Sequence, residues 1–214
     1  MSRVLILSKT RMQENRVCVG GVDLDNRCSI RLLNHDGYHE TIDECPYELL
    51  TIWEIEYNRT NRRPEPHLED VSVVLRNVTS RCVKPKELLK LPSYNLHLYR
   101  SRLLDVFDEK LNYTDSGSLF INQEKGVPNF STCFWLCDKP LRKNRYSTPE
   151  RIKYDYHSDD GRWFHITYVG LEDIPDVIPQ GTLIRLSLAH WWHPEGQEED
   201  RCFLQLSGIY NVSE

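Results

Sequence analysis

GTLIRLSLAHWWHPEG, residues 181–196, has the pattern of a β-strand that runs into two adjacent tryptophans before a proline and a glycine end it. Successive side chains of a strand point to opposite faces. Ile184 therefore shares one face with Trp192, and Arg185 shares the other with Trp191. We expect Trp192 to lie in a core and to be more buried than Trp191, which should stand outside beside the arginine.

The next strand-like stretch, RCFLQLS at 201–207, extends both faces. One face is apolar and is expected to line the interior of a small barrel; it consists of Ile184, Leu186, Leu188, Cys202, Leu204 and Leu206. The other face combines polar groups, aromatic rings and an arginine; it consists of Arg185, Ser187, Trp191, Phe203, Gln205 and Ser207. Such a set is typical of a surface that stacks bases and contacts phosphates. Packing of this face against another part of the chain explains the same pattern without a ligand.

The rest of the chain predicts a β, then helical, then β organisation. Short β-branched and aromatic runs alternate with turn residues over the first eighty positions and again after the segment NYTDSG. Between them, apolar residues at three- and four-residue spacing predict an amphipathic helix over 93–110. We therefore expect a mainly β protein, with a first small barrel over 1–82, a helical connector over 83–114 and a second small barrel over 115–214.

Composition limits the classes of function. The chain has 214 residues, 39% of them hydrophobic, which is enough for a sizeable core. Its formal net charge of −5 argues against coating nucleic acid through overall charge. A basic segment at 139–153 nevertheless contains Arg142, Lys143 and Arg145, and NRTNRRP at 58–64 adds Arg59, Arg62 and Arg63. Each stretch is either a solvated loop or a rim that contacts phosphates.

Motifs for catalysis, metal binding and membrane insertion are missing from the sequence. The seven cysteines are scattered, and the pair Cys133 and Cys137 has no second pair at matching spacing, so we expect reduced, metal-free thiols. No GxSxG elbow, phosphate-binding GxxxxGK loop or HExxH helix occurs. We therefore expect no catalytic residues and no cofactor. Lacking a long apolar run or signal peptide, the chain is expected to be cytoplasmic and free of the membrane.

Two stretches suggest an internal repeat. CVGGVDLDNRCSIRLLN at 18–34 and TYVGLEDIPDVIPQGTLIRLSL at 167–188 share a Val-Gly pair, an aspartate three residues after that glycine, and Ile-Arg-Leu after a loop. Self-similarity of this kind is typical of units built on one plan. We expect the two barrels to share such a plan.

Several of these motifs carry a resemblance to a known family. They are RVLILSKTRMQENRVCVGGVDL (3–24), SIRLLN (29–34), IWEIEY (52–57), HLEDVSV (67–73) and LIRLSLAHWWHPEG with RCFLQLSGIY near the end. In this order they resemble a family of bacterial proteins with a dual OB-containing domain. The resemblance implies two OB-like barrels in tandem, binding of nucleic acid, a role in bacterial conflict or defence, and no known catalytic residues.

These observations predict a non-enzymatic module that binds nucleic acid, single-stranded rather than duplex, or a nucleotide. The residues expected to bind are Arg185, Trp191, Phe203, Gln205, Arg142, Lys143, Arg145 and Arg31. One alternative is a protein–protein adaptor that uses the same outer sheet face. Another is a nucleic-acid-processing enzyme without a recognisable motif. A continuous positive groove favours nucleic acid, and a flat apolar patch beside the acidic EGQEED segment at 195–200 favours a protein partner.

Overall fold

The computed structural model describes residues 1–60, 64–94, 96–196 and 198–212. The first sheet contains β1 (Ser2–Arg11), β2 (Arg16–Asp23), β3 (Cys28–Leu33), β4 (Glu40–Thr41), β5 (Thr51–Arg59) and β6 (Asp70–Cys82). Its strand order is β1-β5-β6-β3-β2-β4, and β1 also pairs with β2, so the five long strands close a barrel. Strands β3 and β6 are parallel and their neighbours antiparallel. This is the strand order of an OB-fold.

Side chains at alternate strand positions fill the interior of the first barrel. β-Branched and aromatic side chains from its strands point inward, and the buried cluster consists of Val4, Ile6, Val17, Val19, Ile30, Leu32, Tyr47, Trp53, Ile55, Val71 and Val73. Trp53, whose ring lies edge-on to Tyr47 with centroids 4.9 Å apart, is the largest side chain of the group. The alternate residues on β1, β2 and β3 point away from this core, toward the second sheet.

The second sheet repeats the plan. Its strands are β7 (Leu98–Tyr99), β8 (Asn112–Tyr113), β9 (Leu119–Ile121), β10 (Thr132–Leu136), β11 (Leu141–Lys143), β12 (Lys153–His157), β13 (Trp163–Tyr168), β14 (Val177–Ile178), β15 (Leu183–Leu188) and β16 (Cys202–Tyr210). The order is β14-β11-β12-β13-β16-β15-β10-β7, with β9 and then β8 attached to β16. Because β10 and β11 are consecutive in the chain, they act as the two halves of one bent first strand. With β13 and β16 parallel, this arrangement matches the order of the first barrel.

The predicted helix over 93–110 is wrong. In the described part of that segment the chain forms the end of a 3-10 helix, Pro85–Tyr94, then β7, then a short 3-10 helix, Leu103–Asp105. Phe107, Asp108 and Glu109 have positive φ angles of 55°, 58° and 62°, which a right-handed helix excludes. The apolar spacing arises because the segment buries side chains in two places. Leu96 lies in a cluster between the barrels, whereas Phe107 lies in the core of the second sheet.

The proposed repeat aligns the wrong strands, although the two units share a plan. The first Ile-Arg-Leu lies on β3, and the second lies on β15, which corresponds to β5. Val19 and Gly20 lie on β2, whereas Val169 and Gly170 follow β13. The matched letters therefore occupy different positions in the two barrels. Six shared residues are too few to fix a structural register.

An apolar cluster joins the two barrels. It consists of Leu5, Leu7, Val22, Ile52, Leu88, Leu96, Phe134, Leu183 and Tyr210. The Tyr210 hydroxyl donates a hydrogen bond to the backbone carbonyl of Leu7, and the Arg11 amide donates to the Val169 carbonyl at 2.7 Å. The barrels are thus held in a fixed mutual orientation. Among the described residues, no helix has the length and apolar character needed to cross a lipid bilayer.

Candidate functional site

A cavity of about 1010 Å³ lies between the two barrels. On the first barrel, Ser8 pairs with Gly20 and Gly20 pairs with Arg31, so these three residues form a row across β1, β2 and β3. On the second barrel, the register places four uncharged polar side chains in a row across β10, β15, β16 and β13; they are Thr132, Ser187, Gln205 and Thr167. Both rows line the cavity. The site is therefore built from outward-facing strand positions of two barrels.

Arg185 lies deep in this cavity. Its side chain projects from β15 toward the first barrel and is only 5% exposed. Nη1 donates to the Ser207 hydroxyl at 2.9 Å, and that hydroxyl also bonds to the Arg185 carbonyl at 3.1 Å. A Cβ on Gly20 would lie 2.6 Å from Nη2, so the missing side chain on the facing strand makes room for the guanidinium.

Arg31 has a different environment, although it is as deeply placed. Its Nε lies 2.9 Å from Asp70 Oδ1, and its Nη2 lies 3.5 Å from Glu69 Oε2. Burial opposes the charged form, but the pKa of Arg31 is raised because Cys18, Asp70 and Glu69 lie close to the guanidinium. Arg31 is thus neutralised within the protein.

Arg185 has no such direct partner, although nearby groups, Glu69 among them, partly oppose the lowering of its pKa by burial. Across the described residues, no carboxylate forms an ion pair with its guanidinium, and burial lowers the pKa of this side chain. Nearby Glu69 is already engaged, since it accepts hydrogen bonds from the Ser131 amide at 2.7 Å and the Ser131 hydroxyl at 2.9 Å. An arginine stays protonated at any physiological pH. The cavity therefore contains a buried, protonated guanidinium that has no carboxylate within ion-pair distance among the described residues.

The mouth of the cavity is of mixed charge. Lys143, the last residue of β11, and Glu150, in the loop after it, are both exposed. The other charged residues that line the cavity toward the opening are Arg11, Arg16, Glu172 and Asp173. Beyond the rim, Tyr146 is 75% exposed and stacks against Arg145, whose Cζ lies 4.6 Å from the ring centroid. The loop thus presents basic groups and one free aromatic face to solvent beside the opening.

The structure separates the predicted binding residues into two sets. Arg185, Gln205, Arg31 and Lys143 line the cavity. Trp191, Phe203, Arg142 and Arg145 do not, so the eight residues do not form one exposed platform. Arg59 also lies outside the cavity, and Arg62 and Arg63 fall outside the described residues. The role of each residue in binding stays a prediction.

The predicted burial of the two tryptophans is reversed. Trp192 is 56% exposed, whereas Trp191 is half-buried against the core of the second barrel and donates from Nε1 to the Glu65 carbonyl at 2.7 Å. Strand β15 ends at Leu188, and its pairing with β16 shifts between Arg185 and Leu186. The alternation therefore does not continue into the tryptophans. Phe203 contacts Trp192 instead, with ring centroids 6.0 Å apart.

Sequence reasoning missed the first-barrel side of the cavity. Ser8, Gly20 and Glu69 were not among the candidate residues, yet all three line it. One signal was present, because a glycine inside a strand often marks the close approach of another group. Gly20 has that role here. Nothing in the sequence around Ser8 or Glu69 indicates that a second barrel lies opposite.

The strand order and the cavity define the class of this protein, a tandem of OB-type barrels that face each other across a polar space. The chain belongs to the dual OB-containing domain family, whose family model matches residues 2–209. The resemblance found in the sequence is thereby confirmed. A search of curated proteins finds no match.

Among solved structures, the chain is similar to a murine DNA-binding protein whose structure was determined bound to double-stranded DNA. The two share 10% sequence identity over 95% of this chain and 91% of the other, with a TM-score of 0.32. A likeness this distant carries no inference about what the present chain binds.

Proposed function

We propose that this protein is a nucleic-acid-binding module, and that part of a single strand enters the cavity between the barrels. The observation that carries the proposal is Arg185, a buried guanidinium without a carboxylate partner in the described chain, facing a large polar cavity. OB-folds as a class bind oligonucleotides. That fold-level analogy supports the choice of ligand, and the site supplies the chemistry.

The chemistry of the cavity fits a phosphate group. A buried charge is costly unless an opposite charge and hydrogen bonds compensate it. A guanidinium presents a planar fork of N–H donors that matches the oxygens of a phosphate. Phosphate bound at Arg185 would satisfy donors that the protein itself leaves facing the cavity.

The polar row on the second barrel favours a single strand over a duplex. Thr132, Ser187, Gln205 and Thr167 offer three hydroxyls and an amide, each able to donate and to accept hydrogen bonds. Unpaired bases expose their hydrogen-bonding edges, whereas those edges are occupied in a duplex. The row could therefore contact a base only when the strand is unpaired.

The loop after β11 gives the strand a path out of the cavity. Lys143 lines the opening, and Arg142 and Arg145 are exposed on the same segment. Phosphates outside the cavity would contact these three side chains. Tyr146, 75% exposed, is the aromatic face nearest to them in sequence. A bacterial origin and a role in defence stay predictions of the family resemblance, and a cytoplasmic location stays a prediction from the sequence.

The adaptor alternative is less well supported on this face. It placed a protein partner on the sheet surface that contains Arg185 and Gln205. That surface faces the first barrel, with Arg185 only 5% exposed, so a folded partner has no access to it. A flexible strand can enter where a folded surface cannot.

The test is an anisotropy titration with single-stranded DNA, single-stranded RNA and duplex DNA of about ten nucleotides, a length in the range that OB-folds cover. We expect single strands to bind more tightly than duplex. Arg185→Gln should weaken binding about tenfold or more, the value of a charge-assisted hydrogen bond. Lys143→Ala should reduce the slope of log affinity against log salt by about 0.7, as loss of one phosphate contact on a single strand does.

Arg102→Gln provides the matched control, because this arginine is exposed and paired with Asp105 at 2.9 Å, away from the cavity. It should bind like the wild type. Absence of binding to every oligonucleotide at about 50 mM salt, where phosphate contacts are strong, would refute the proposal. So would a folded Arg185→Gln protein with unchanged affinity.

A further inference from the structure

We propose that the cavity recognises a nucleoside phosphate monoester, with the phosphate at Arg185 and Ser8 and the nucleoside toward the mouth. The source of this group is either the phosphorylated end of a single strand or a free nucleotide. The inference deepens the proposed function and rests on it for the first of these two sources.

Donor groups converge around Gly20. Both Ser8 Oγ and Arg185 Nη2 lie 2.6 Å from the point that a Cβ on Gly20 would occupy. Arg31 is the cross-strand neighbour of Gly20 on the other side. The Ser8 hydroxyl and the Arg185 guanidinium thus flank one bare stretch of backbone, with Arg31 held by its carboxylates on the far side, an arrangement that suits a compact anion with several acceptor oxygens.

The depth of Arg185 favours a terminal phosphate. A phosphodiester within a strand carries a nucleotide on each side, so its insertion to this depth brings both neighbours into the cavity. A monoester carries only one. Binding cavities of roughly 300–1,000 Å³ hold small molecules, and the present cavity, about 1010 Å³, is at the upper end of that range. One nucleotide with ordered water fits it better than a strand that enters and leaves.

The charge of the ligand also favours a phosphate monoester. A phosphate monoester carries roughly −1.5 to −2 charges at neutral pH and has three acceptor oxygens, whereas a diester carries one charge. Glu69 and Asp70 contact Arg31, whereas no carboxylate of the described residues lies within ion-pair distance of Arg185, so an anion at the floor would contact the Arg185 guanidinium directly. The extra charge and third oxygen of a monoester give stronger hydrogen bonds to Arg185 and Ser8 than a diester gives.

The remaining walls suit a nucleoside. The polar row Thr132, Ser187, Gln205 and Thr167 can bond to the sugar and to the edge of the base. Apolar side chains that could cover the plane of the base also line the cavity; they include Pro149, Ile152, Leu171 and Ile174. The cavity thus has a charged floor, one hydrogen-bonding wall and an apolar part.

The experiment compares one single-stranded sequence in three forms, with a 5′ phosphate, with a 3′ phosphate and with hydroxyl groups at both ends. Adenosine and uridine monophosphates, with the unphosphorylated nucleosides as controls, serve as competitors. We expect one phosphorylated form to bind about tenfold more tightly than the hydroxyl form, and Arg185→Gln to abolish the difference. Ser8→Ala is a smaller change, which tests the inference even if the Arg185→Gln protein does not fold. It should reduce the difference in affinity between the phosphorylated and hydroxyl forms about threefold.

The outcomes separate this inference from the proposed function. Equal affinity of all three forms, with Arg185→Gln weakening each alike, overturns the monoester inference and leaves nucleic-acid binding intact. Binding of the free monophosphates but of no oligonucleotide supports the monoester site with a free nucleotide as its ligand and refutes the proposed function. Binding of neither class overturns both. Lys143→Ala should weaken all three oligonucleotides equally, since Lys143 lies at the mouth.

Discussion

Replacing Gly20 with alanine places a methyl group where the Arg185 side chain lies. The new Cβ would be 2.6 Å from Arg185 Nη2, 3.2 Å from Cζ and 2.6 Å from Ser8 Oγ. The Ser8 hydroxyl can turn away by a rotation about one bond. The guanidinium borders the cavity but is held by Ser207 at 2.9 Å, so a shift toward the cavity weakens or breaks that hydrogen bond.

The magnitude follows from two opposing effects. Forcing a methyl group into a packed site costs about 1–3 kcal/mol, and displacing a charged donor from its hydrogen bond costs a similar amount. Only one of these two losses applies, because the methyl group either stays in a crowded position or displaces the guanidinium from its hydrogen bond. Alanine in place of glycine stabilises by about 0.4–1 kcal/mol through the unfolded chain, because the backbone at this position does not have the positive φ that favours glycine. We expect Gly20→Ala to destabilise by about 1–2 kcal/mol in total.

A double-mutant cycle with Arg185→Ala, followed by urea unfolding, tests the cause of this loss. In the Arg185→Ala background the methyl group has space, so Gly20→Ala should be neutral or slightly stabilising. Ligand binding should fall in the Gly20→Ala protein even though Gly20 itself offers no side chain. An equal loss of stability in both backgrounds would show that the clash is with some other group and would refute the packing described here.

Three other measurements test separate parts of the structure. In thermal unfolding, Trp191→Ala should lower the free energy of unfolding by about half of the 3–5 kcal/mol that loss of a fully buried aromatic costs. Trp192→Ala should lower it by less than about 1 kcal/mol. Equal losses would contradict the exposure of Trp192. Burial lowers the pKa of His97 below its ordinary 6.5, so the unfolded chain binds the proton more readily and stability should fall as pH drops below that value. His97→Phe should remove this part of the pH dependence, measured between about pH 7.5 and pH 5, and an unchanged slope would assign it to other groups. Glu69→Ala should cost about 3–5 kcal/mol, as loss of one partner of a buried ion pair does, and a loss under about 1 kcal/mol would contradict its role between Arg31 and Ser131.

Strand alternation predicted the interior of the second barrel well. Ile184, Leu186, Leu188, Cys202, Leu204 and Leu206 were expected on one apolar face, and all six lie in its core cluster. The period-2 rule needs only regular backbone, which β15 and most of β16 provide. The rule failed at Trp191 and Trp192 because the strand had already ended. Neither the end of a strand nor a shift in pairing is encoded in the spacing of apolar residues.

The sequence predicted the direction in which Arg185 leaves its barrel and did not predict what lies opposite it. Arg185 was expected to leave the core of its own barrel beside Ser187 and Gln205, and it does. What it meets there depends on how the two barrels pack, and contacts between residues as distant as Gly20 and Arg185 leave no local pattern. The spacing of Leu96 and Phe107 led to the wrong prediction of a helix for a related reason. Two cores on either side of a connector can produce the same periodicity as one face of a helix.

The hydrogen bond from Tyr210 to Leu7 joins residues separated by 203 positions. During synthesis, the strand that contains Leu7 emerges long before Tyr210, and domains tend to fold in the order in which they leave the ribosome. The first barrel is therefore expected to form while its share of the joining cluster, Leu5, Leu7, Val22 and Ile52, is still uncovered. Contacts this distant in sequence form slowly. Until the last strand arrives, an apolar surface of the first barrel thus faces solvent, and transiently exposed surfaces of this kind favour aggregation.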